Sequence, residues 1–380
     1  MKINASGRPW KNGRPRLAVI SISPAPYRDR TFERLHARGT VDAIVYNVLE
    51  GDTEHPYWDL ERPAYPARSL GKGLPPYPGE GNFDAVVIPG HRHGTCLAAI
   101  LHCVKKGIPI IYSADSIITG GPRSLKKTLS GIFKRRLLER VRAAWVPGLA
   151  SRVCLEKYGL DAGRIFQGCY NLDAGFIAKA VSEKKALRRA ARAGLDLPED
   201  AFVFLMVANF TPKRNHETLI RAFSLVEAGA PGSYLVLAGK GETKPGIQAI
   251  SKELNITRLR ILDPVPFRDL PAIYSACDSY VHSGGESYST ALAYAAAAGL
   301  PIISSRSVGA SWDFVSHGHT GYLVEPNGIS GFSEAMINLA RDRALALRFG
   351  ERAQSIALER TPDWAAGQLE SAVFVAVGSQ

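Results

Sequence analysis

The sequence of 380 residues contains no apolar run as long as the roughly 18–20 residues that a membrane-spanning helix needs. It also lacks the pattern of a secretory signal, because the basic start MKINASGRPWKNGRPR leads straight into the short run LAVISIS. The mean hydropathy of −0.06 and the hydrophobic content of 46% are typical of a globular protein. We therefore expect a cytoplasmic location.

Cysteine is scarce, and its spacing suggests neither a metal site nor a disulfide framework. The odd, scattered set consists of Cys96, Cys103, Cys154, Cys169 and Cys277. We expect these residues to be buried thiols in a reducing compartment. An Asp-x-Asp motif, which would suggest that a divalent metal delivers a diphosphate, is also absent. We therefore predict no metal site.

An excess of positive charge is confined to the N-terminal half. Residues 1–200 hold 32 Lys and Arg against 19 Asp and Glu, a balance of +13, whereas the rest of the chain holds 15 against 16, a balance of −1. This asymmetry indicates an anionic partner for the first half, either a membrane surface or nucleic acid, and a solvated basic surface without a partner is the alternative. Because the sequence has no recognisable nucleic-acid-binding module, we expect no nucleic acid partner.

Short apolar runs alternate with longer amphipathic stretches along a chain that is too long for one ordinary core. This alternation is typical of parallel α/β architecture. We predict two doubly wound α/β domains, residues 1–190 and 191–361. Residues 362–380 are predicted to form a terminal helix that crosses back to the first domain.

In the first domain we predict five strands, at Leu17–Ser21, Ala43–Val48, Ala85–Ile88, Ile108–Tyr112 and Ala143–Val146. Four helices are predicted at Thr31–Ala37, Thr95–Lys105, Ser124–Arg140 and Ala150–Tyr158. The stretch between Glu50 and Asn82 is rich in Pro, Gly and aromatic residues. It is predicted to be a long irregular insertion, and such loops often shape a binding site.

In the second domain we predict strands at Phe202–Val207, Tyr234–Ala238, Leu259–Leu262, Ser279–His282, Pro301–Ser304 and Tyr322–Val324. Helices are predicted at Asn215–Glu227, Ile247–Leu254, Leu270–Cys277 and Tyr288–Ala298. Ligands of open parallel sheets bind beyond the carboxyl ends of the strands. The candidate binding loops are therefore Val207–His216, Ala238–Gly241, Ser283–Glu286 and Ser307–Asp313.

Two charged residues in these loops have the chemistry of an anion and sugar site. Glu286 follows a Gly-Gly turn at the mouth of an alanine-rich helix, whose first N–H groups are suited to a diphosphate. Its carboxylate is either a simple helix N-terminal charge or an acceptor for sugar hydroxyls. Arg214 opens a predicted helix beside Lys213, and it is either a solvated helix residue or a ligand.

Four stretches resemble the retaining glycosyltransferases of family 4, which have the GT-B fold. Residues 261–328, from ILDPVPFRDL to GYLVEPNG, are similar to that family's donor-site core, and residues 203–223, VFLMVANFTPKRNHETLIRAF, to its phosphate-binding segment. Residues 140–176 resemble the end of its acceptor domain. Residues 21–35, SISPAPYRDRTFERL, resemble the first strand and loop of members that act in cell-surface polysaccharide assembly. The resemblance implies two Rossmann-like domains facing a cleft.

The resemblance also implies roles for individual residues. Arg214 would neutralise the donor diphosphate, Glu286 would contact the donor sugar, and His91 would lie near the transferred sugar. Further donor-binding residues would be Asn209, Lys213, Gly285, Ser287, Tyr288, Ser289 and Tyr294. The candidates on the acceptor side are Tyr27, Arg28, His93 and Asp115. His93 competes with His91 for the same assignment, and a surface turn with two histidines is the alternative for both.

The sequence departs from the family pattern at two positions. The second glutamate of the family's two-glutamate motif is Tyr294 here, eight positions after Glu286. The arginine that is common in the phosphate-binding segment is Asn209, which removes one positive charge from beside the diphosphate. Each loss, if uncompensated, would weaken donor binding by about 1–3 kcal/mol.

These observations predict a retaining, metal-independent glycosyltransferase that moves a sugar from a nucleotide sugar to a glycan or lipid-linked acceptor. The expected process is cell-surface polysaccharide biosynthesis, and because the nucleotide sugar is a substrate, no cofactor is expected. Two alternatives stay open. One is a non-catalytic glycosyltransferase-like subunit that binds or activates a partner, which Tyr294 favours, and the other is a nucleotide-sugar epimerase.

The basic segment 123–142 is relevant to a membrane partner. Its apolar positions form a broad helical stripe, but basic residues surround the stripe and Arg136 falls within it. We therefore expect this helix to pack on its own sheet and to present some of its charges outward, rather than to lie in the interface by itself. The chain would then be peripheral on the inner face of an anionic membrane.

Overall fold

The computed structural model describes residues 10, 13–49, 63–70, 83–118 and 125–378. The chain divides into two compact units. The first unit consists of residues 1–172 together with residues 362–380, and the second consists of residues 173–361. Of the long insertion predicted between Glu50 and Asn82, only residues 63–70 lie within the described part of the chain.

The first unit contains a parallel sheet. Its strands are β1 Arg16–Ser21, β2 Asp42–Asn47, β3 Ala67–Ser69, β4 Ala85–Pro89, β5 Ile110–Ser113, β6 Ala143–Val146 and β7 Ile165–Gln167. Their order in the sheet is β3-β2-β1-β4-β5-β6-β7, so the direction of winding reverses between β1 and β4. The inner strands are apolar along nearly their whole length because both faces of the sheet are covered by helices.

The helices in residues 1–172 of this unit are α1 Pro26–Arg38, α2 Gly94–Lys106, α3 Leu125–Leu138 and α4 Leu149–Lys157. Successive side chains of β1 point to opposite faces of the sheet. Leu17 and Val19 join a buried cluster with residues of α1, whereas Ala18 and Ile20 join a second cluster with residues of α2 and α4. The unit therefore has one hydrophobic layer on each face of its sheet.

The second unit contains a parallel sheet of strands β8 Phe202–Val207, β9 Ser233–Ala238, β10 Leu259–Leu262, β11 Ser279–His282, β12 Ile302–Ser305 and β13 Gly321–Val324. Its order is β10-β9-β8-β11-β12-β13, and the winding reverses between β8 and β11. The helices are α5 Ala174–Ser182, α6 Lys184–Gly194, α7 His216–Gly229, α8 Lys244–Glu253, α9 Leu270–Ala276, α10 Thr290–Ala297, α11 Ser311–Phe314, α12 Ile329–Arg341 and α13 Arg343–Glu359. The predicted fold class, two doubly wound α/β domains, is confirmed.

The last helix, α14 Pro362–Val377, belongs to the first unit. It packs against α1 and against the strands β6 and β7. Arg38 of α1 holds it by ion pairs to Asp363, at 2.9 Å, and to Glu370, at 2.8 Å. The ring of Trp364 lies so close to Gly168 that a Cβ at that position would be only 2.9 Å from it.

The predicted boundary at residue 190 is wrong, because residues 173–190 pack with the second unit. Helix α6 lies along α9, and its Arg192 is fully buried. Nη2 of Arg192 lies 2.7 Å from Oδ2 of Asp278, and Nη2 of Arg188 lies 2.6 Å from Oδ1 of the same carboxylate. These buried ion pairs fix the charged, alanine-rich segment to the second sheet, so the boundary lies at residues 172 and 173.

The expectation that α3 packs its apolar stripe on its own sheet is also wrong for most of the helix. Among residues 128–138, the part of α3 whose side chains the structure describes, only Leu137 and Leu138 at the C-terminal end are buried. Leu129, Ile132 and Phe133 are 58%, 50% and 47% exposed. The helix meets the sheet only at its last turn, so the apolar side chains before that turn remain on the surface.

Candidate functional site

Two loops of the second unit meet where the winding of its sheet reverses. One loop follows β8 and the other follows β11, and these two strands are neighbours in the sheet. A reversal point leaves a crevice at the carboxyl ends of the strands, and ligands of open α/β sheets bind there. The structure thus brings together two of the four predicted binding loops, Val207–His216 and Ser283–Glu286.

The backbones of these two loops are in direct contact. The hydroxyl of Ser283 donates to the carbonyl of Asn215 at 2.9 Å, and the N–H of Gly285 donates to the carbonyl of Lys213 at 2.9 Å. A Cβ on Gly284 would lie 2.4 Å from Cα of Arg214, so any other residue would push the loops apart. Gly284 is therefore required for the approach of the two loops, whereas a Cβ on Gly285 would meet no atom closer than 3.6 Å.

The other two predicted loops pack against this pair. The N–H of Phe210 donates to the carbonyl of Lys240 at 2.7 Å, which joins the loop after β9 to the loop after β8. The N–H of Gly309 donates to the carbonyl of Glu286 at 2.9 Å, and the N–H of Ala310 donates to the carbonyl of Tyr288 at 2.8 Å. The four candidate loops thus form one continuous surface.

Arg214 and Glu286 form an ion pair on this surface. Nη2 of Arg214 lies 2.7 Å from Oε1 of Glu286, and Nη1 donates to the carbonyl of Gly285 at 2.7 Å. The two side chains are 18% and 24% exposed, so both are largely withdrawn from water and still reachable. The pairing joins the two residues that the sequence singled out for the diphosphate and for the sugar.

The placement of Arg214 at the opening of a helix is corrected by the structure. Residues Pro212–Arg214 form a separate turn of 3-10 helix, and α7 begins only at His216. Asn215 lies between them in the left-handed conformation, with φ of 51°, which interrupts the helix. Arg214 is therefore a loop residue whose side chain reaches toward the next loop instead of along α7.

Glu286 is held in its ionised form. Burial alone would raise the pKa of this carboxyl, but the hydrogen bond and electrostatic interaction with His282, the charge of Arg214 and a hydrogen bond with Ser289 outweigh it, so the pKa lies below the ordinary value. An ionised carboxylate is a hydrogen-bond acceptor at both oxygens, so Glu286 can accept hydrogen bonds from sugar hydroxyls.

The predicted donor-binding serines and tyrosine after Glu286 lie before α10, not inside it. Ser289 is the N-cap of α10, and its hydroxyl accepts a hydrogen bond from the N–H of Leu292 at 3.4 Å. Its φ of 91° is unusual for a residue with a side chain. The residues Ser287, Tyr288 and Ser289 therefore form the approach to the first turn of this helix.

Three further predicted donor residues differ in exposure. Lys213 is exposed, and Asn209 is half-buried near the start of the loop after β8. Tyr294 is buried in α10, where its ring lies 5.6 Å from that of Phe267 and 6.5 Å from that of Tyr274. The residue in place of the second motif glutamate thus packs in an aromatic cluster within the second unit.

Two buried histidines beside Glu286 were not predicted as site residues. Nε2 of His282, the last residue of β11, lies 3.0 Å from Oε2 of Glu286. His216, at the start of α7, packs edge-on against Phe210 with the ring centroids 5.0 Å apart. Burial, together with the charges of His282 and Arg214, lowers the pKa of His216 to about 3. A histidine in an otherwise apolar strand, four positions before Glu286, was the signal in the sequence for His282.

In the first unit, His91 follows β4 at the reversal point of the first sheet. Its Nδ1 lies 2.7 Å from the hydroxyl oxygen of Tyr112, and its ring centroid lies 5.4 Å from that of Phe133. Burial lowers the pKa of His91, and the charges of Lys134 and Arg92 lower it further. His91 is therefore uncharged at neutral pH and is joined to the sheet by Tyr112.

His93 occupies a different position from His91. It is exposed and caps α2, because its Nδ1 accepts a hydrogen bond from the N–H of Thr95 at 3.3 Å. Arg28 of α1 donates to the carbonyl of Ser23, and Asp115 lies just after β5. The backbone of Tyr27 belongs to α1, but its side chain lies outside the described part of the structure.

The described part of the chain offers no group of three or more His, Cys, Asp or Glu side chains suited to a metal ion. All five cysteines are buried and unpaired. Among the helices that the structure describes, none combines the length and the apolar character needed to cross a membrane.

Residues 188–356 match the model of a family described as Glycosyl transferases group 1. The match falls within the second unit and includes the ion pair of Arg214 and Glu286. The second unit is therefore similar in sequence to that family.

The chain is 32% identical over 167 residues to the lipopolysaccharide core biosynthesis glycosyltransferase LpsE of Rhizobium meliloti, a match that covers 42% of this chain and 46% of LpsE. It is 30% identical over 200 residues to a D-inositol 3-phosphate glycosyltransferase of Corynebacterium glutamicum, which covers 50% of this chain and 47% of that enzyme. The chain thus spans about half the length of the curated relatives that it matches.

The fold is similar to that of the Anabaena protein HepE in its crystal structure with UDP-glucose. The TM-score is 0.67 with 16% sequence identity, and the likeness covers 93% of this chain and 98% of HepE. At this identity the likeness concerns the fold, and it extends over both units.

Proposed function

We propose that the chain transfers a sugar from a nucleoside diphosphate sugar to a glycan or lipid-linked acceptor, with retention, in cell-surface polysaccharide biosynthesis. The observation that carries the proposal is the ion pair of Arg214 and Glu286 at the reversal point of the second sheet. The family match of this unit supports glycosyl transfer. HepE, whose crystal structure contains UDP-glucose, and LpsE, named for lipopolysaccharide core biosynthesis, support a UDP-sugar and a surface glycan.

The first chemical requirement of this reaction is positive charge at the leaving diphosphate, where negative charge grows in the transition state. Arg214 and the exposed Lys213 supply such charge, and the first N–H groups of α10 point in the direction that favours an anion. Two of the three guanidinium nitrogens of Arg214 are bonded within the site, while Nε is buried without a partner among the described residues. A phosphate oxygen would provide that partner.

The second requirement is recognition of the sugar. When the diphosphate takes up Arg214, Oε1 of Glu286 loses its hydrogen-bond donor. Because the carboxyl is ionised, that oxygen is then an acceptor for a sugar hydroxyl. The ion pair thus satisfies both charges in the structure, and a bound donor would give each of them a new partner.

We further propose that transfer needs no metal and that the acceptor attacks on the face from which the diphosphate leaves. Arg214 and Lys213 would take the charge-neutralising role that a metal plays elsewhere. Two measurements test these points: turnover in the presence of a chelator, which should be unchanged, and the anomeric configuration of the product by NMR, which should match that of the donor.

In the first unit we propose that His91 lies near the transferred sugar. It is uncharged at neutral pH, and Tyr112 engages its Nδ1, which leaves Nε2 for the acceptor. Phe133, whose ring lies beside His91, is also one of the exposed apolar residues of α3. An apolar surface next to the acceptor histidine is suited to a lipid-linked acceptor.

We also propose that the first unit docks on an anionic membrane surface, so that the chain is cytoplasmic and peripheral. Helix α3 exposes Leu129, Ile132 and Phe133 beside the exposed basic residues Arg135 and Arg136. Apolar side chains enter the interface while basic side chains meet anionic headgroups, at about 1 kcal/mol for each Lys or Arg. The balance of +13 in residues 1–200 has the same sign as this local surface.

Sedimentation with vesicles tests the docking. Wild type should bind vesicles containing anionic phosphatidylglycerol at low salt and dissociate at high salt, and it should ignore neutral phosphatidylcholine vesicles. The double substitution of Ile132 and Phe133 by Ser should weaken the binding, whereas Leu347→Ser, at a residue of the second unit that is 58% exposed, should not. Binding that is equal for all three proteins would contradict docking through α3.

The donor is tested by thermal stabilisation with a panel of nucleotide sugars that includes UDP-glucose. A ligand at a hundred times its Kd raises the free energy of unfolding by about 2.7 kcal/mol, which is readily seen as a higher Tm. Stabilisation of wild type but not of Arg214→Ala supports the proposed site. Product analysis then separates the alternatives, because a binding subunit would leave the donor intact and an epimerase would convert it without an acceptor.

A further inference from the structure

His282 occupies a position that neither packing nor strand formation explains. It is the last residue of β11, it is fully buried, and it lies opposite Ser304 in the neighbouring strand β12. An apolar side chain would serve the core equally well at such a place. Nδ1 of His282 is buried without a hydrogen-bond partner among the described residues, which is unfavourable for the fold.

The other ring nitrogen of His282 explains its presence. Nε2 lies 3.0 Å from Oε2 of Glu286, and with the carboxylate ionised, the proton on Nε2 is the one that is shared. The two residues are four positions apart, but no helix joins them. The turn through Gly284 and Gly285 brings the carboxylate back over the end of the strand.

The two oxygens of Glu286 therefore have different partners. Oε2 is anchored by a side chain that is fixed inside the sheet, and Oε1 is paired with Arg214, which is held by a loop. Without the anchor, the carboxylate could turn and present both oxygens to the guanidinium of Arg214, which is the preferred bidentate geometry of such pairs. Both charges would then be withheld from a ligand.

We propose that His282 is a positioning residue of the donor site, which keeps one oxygen of Glu286 away from Arg214 so that a nucleoside diphosphate sugar can separate the pair. The inference rests on the proposed function. It assigns to His282 no contact with the donor, because its side chain is buried beneath Glu286.

The experiment compares the donor KM and kcat of wild type with those of His282→Phe, His282→Leu and His282→Gln. We expect Phe or Leu to raise the donor KM by at least about tenfold, since losing one charge-assisted hydrogen bond changes an equilibrium by roughly that factor. Gln can still donate one hydrogen bond to Oε2, and we expect it to restore the KM to within about threefold of wild type. If His282→Phe does not fold, the comparison is made with His282→Leu.

The matched control is Ser304→Ala, which removes a buried polar group opposite His282 whose hydroxyl donates to the carbonyl of Ser305 rather than to Glu286. Its donor KM should stay within about twofold of wild type. Rescue by Gln together with a normal control supports positioning. A donor KM that is unchanged in His282→Phe or His282→Leu, in folded protein with active wild type, overturns this inference alone, whereas wild type that neither binds nor uses any nucleotide sugar overturns the proposed function and this inference with it.

Discussion

Nη2 of Arg214 lies 2.7 Å from Oε1 of Glu286, although the two residues are 72 positions apart in the chain. Arg214 comes from the loop after β8 and Glu286 from the loop after β11, two strands that are adjacent only because the winding of the sheet reverses between them. The topology of the second sheet therefore creates the pair.

Substitution of Glu286 by Ala should lower kcat by about 100-fold, because a well-placed group that interacts with the transition state contributes on that order. The Tm should also fall, because the buried His282 loses its hydrogen-bond partner, but the chain should stay folded since Arg214 keeps its bond to the carbonyl of Gly285. Steady-state turnover and thermal unfolding are the measurements. More than half of the wild-type kcat at an unchanged Tm would remove Glu286 from the site.

Substitution of Arg214 by Ala should raise the donor KM far more than substitution of Arg221. Arg221 lies in α7, where it pairs with Glu217 of the same helix at 3.0 Å and is 35% exposed. Arg221 is therefore a suitable control, because it lies only seven positions from Arg214 and its side chain pairs within its own helix. Equal donor KM values for the two variants would place the diphosphate elsewhere.

Substitution of His91 by Ala should lower the rate with acceptor far more than it weakens donor binding, because Arg214 and Glu286 of the second unit remain to hold the donor. The control is His93→Asn, which keeps a side chain able to cap α2. Acceptor kinetics and donor-induced thermal stabilisation should be measured on both variants. If His93→Asn affects acceptor kinetics more than His91→Ala does, the two histidines must exchange roles.

The buried His216 should make the fold sensitive to acid. Its pKa is lowered to about 3 in the folded state, chiefly by burial, against an ordinary value of 6.5, so the unfolded state binds the proton first as the pH falls. The uncharged imidazole therefore makes its full contribution to the free energy of unfolding above pH 6.5. That contribution falls by about 1.4 kcal/mol per pH unit between pH 6.5 and 3. His216→Phe should remove this loss.

Denaturant unfolding of both proteins at pH 7 and pH 5 measures the effect of His216. From pH 7 to pH 5, wild type should lose about 2 kcal/mol more of its free energy of unfolding than the variant does. The reason is that one and a half pH units of this range lie below the ordinary histidine pKa of 6.5. An equal dependence of the two proteins on pH would show that His216 takes up its proton without unfolding.

Substitution of Asp278 by Ala should destabilise the second unit by about 3–5 kcal/mol, because it leaves the buried guanidinium of Arg192 without its counter-charge. The carboxylate also accepts from the N–H of Val203 at 2.8 Å. The control is Asp196→Asn, which removes the charge of a carboxylate that is 97% exposed but keeps a side chain that tolerates the φ of 51°, and it should leave the free energy of unfolding unchanged within error. Equal stability of the two variants would contradict the account of α6.

Much of the second sheet could be predicted from local sequence. The predicted bounds of β8, β10 and β11 agree with the structure, because each strand is a short run of mainly apolar residues between polar turns. The edge strand β3, Ala67–Ser69, was missed because three residues of mixed polarity give no periodicity. The helix α5 was missed as well.

The long-range contacts could not be predicted. Nothing in the segment around Arg192 shows that it is buried, because its counter-charge at Asp278 lies 86 positions away. The pairing of Arg214 with Glu286 was likewise hidden, although each residue was singled out by its own loop. The role of His282 depends on where the Gly-Gly turn directs Glu286, and backbone direction is a property of the folded loop.

The most direct test of the central claim is the release of nucleoside diphosphate from UDP-glucose by the purified chain, measured with lipid-linked and glycan acceptors and repeated with Glu286→Ala and Arg214→Ala. The account predicts acceptor-dependent release and a retained anomeric configuration with wild type, and a loss of at least about 100-fold with Glu286→Ala. If other nucleotide sugars are used instead, the same comparison applies to them. Release that is equally fast in all three proteins would contradict the account.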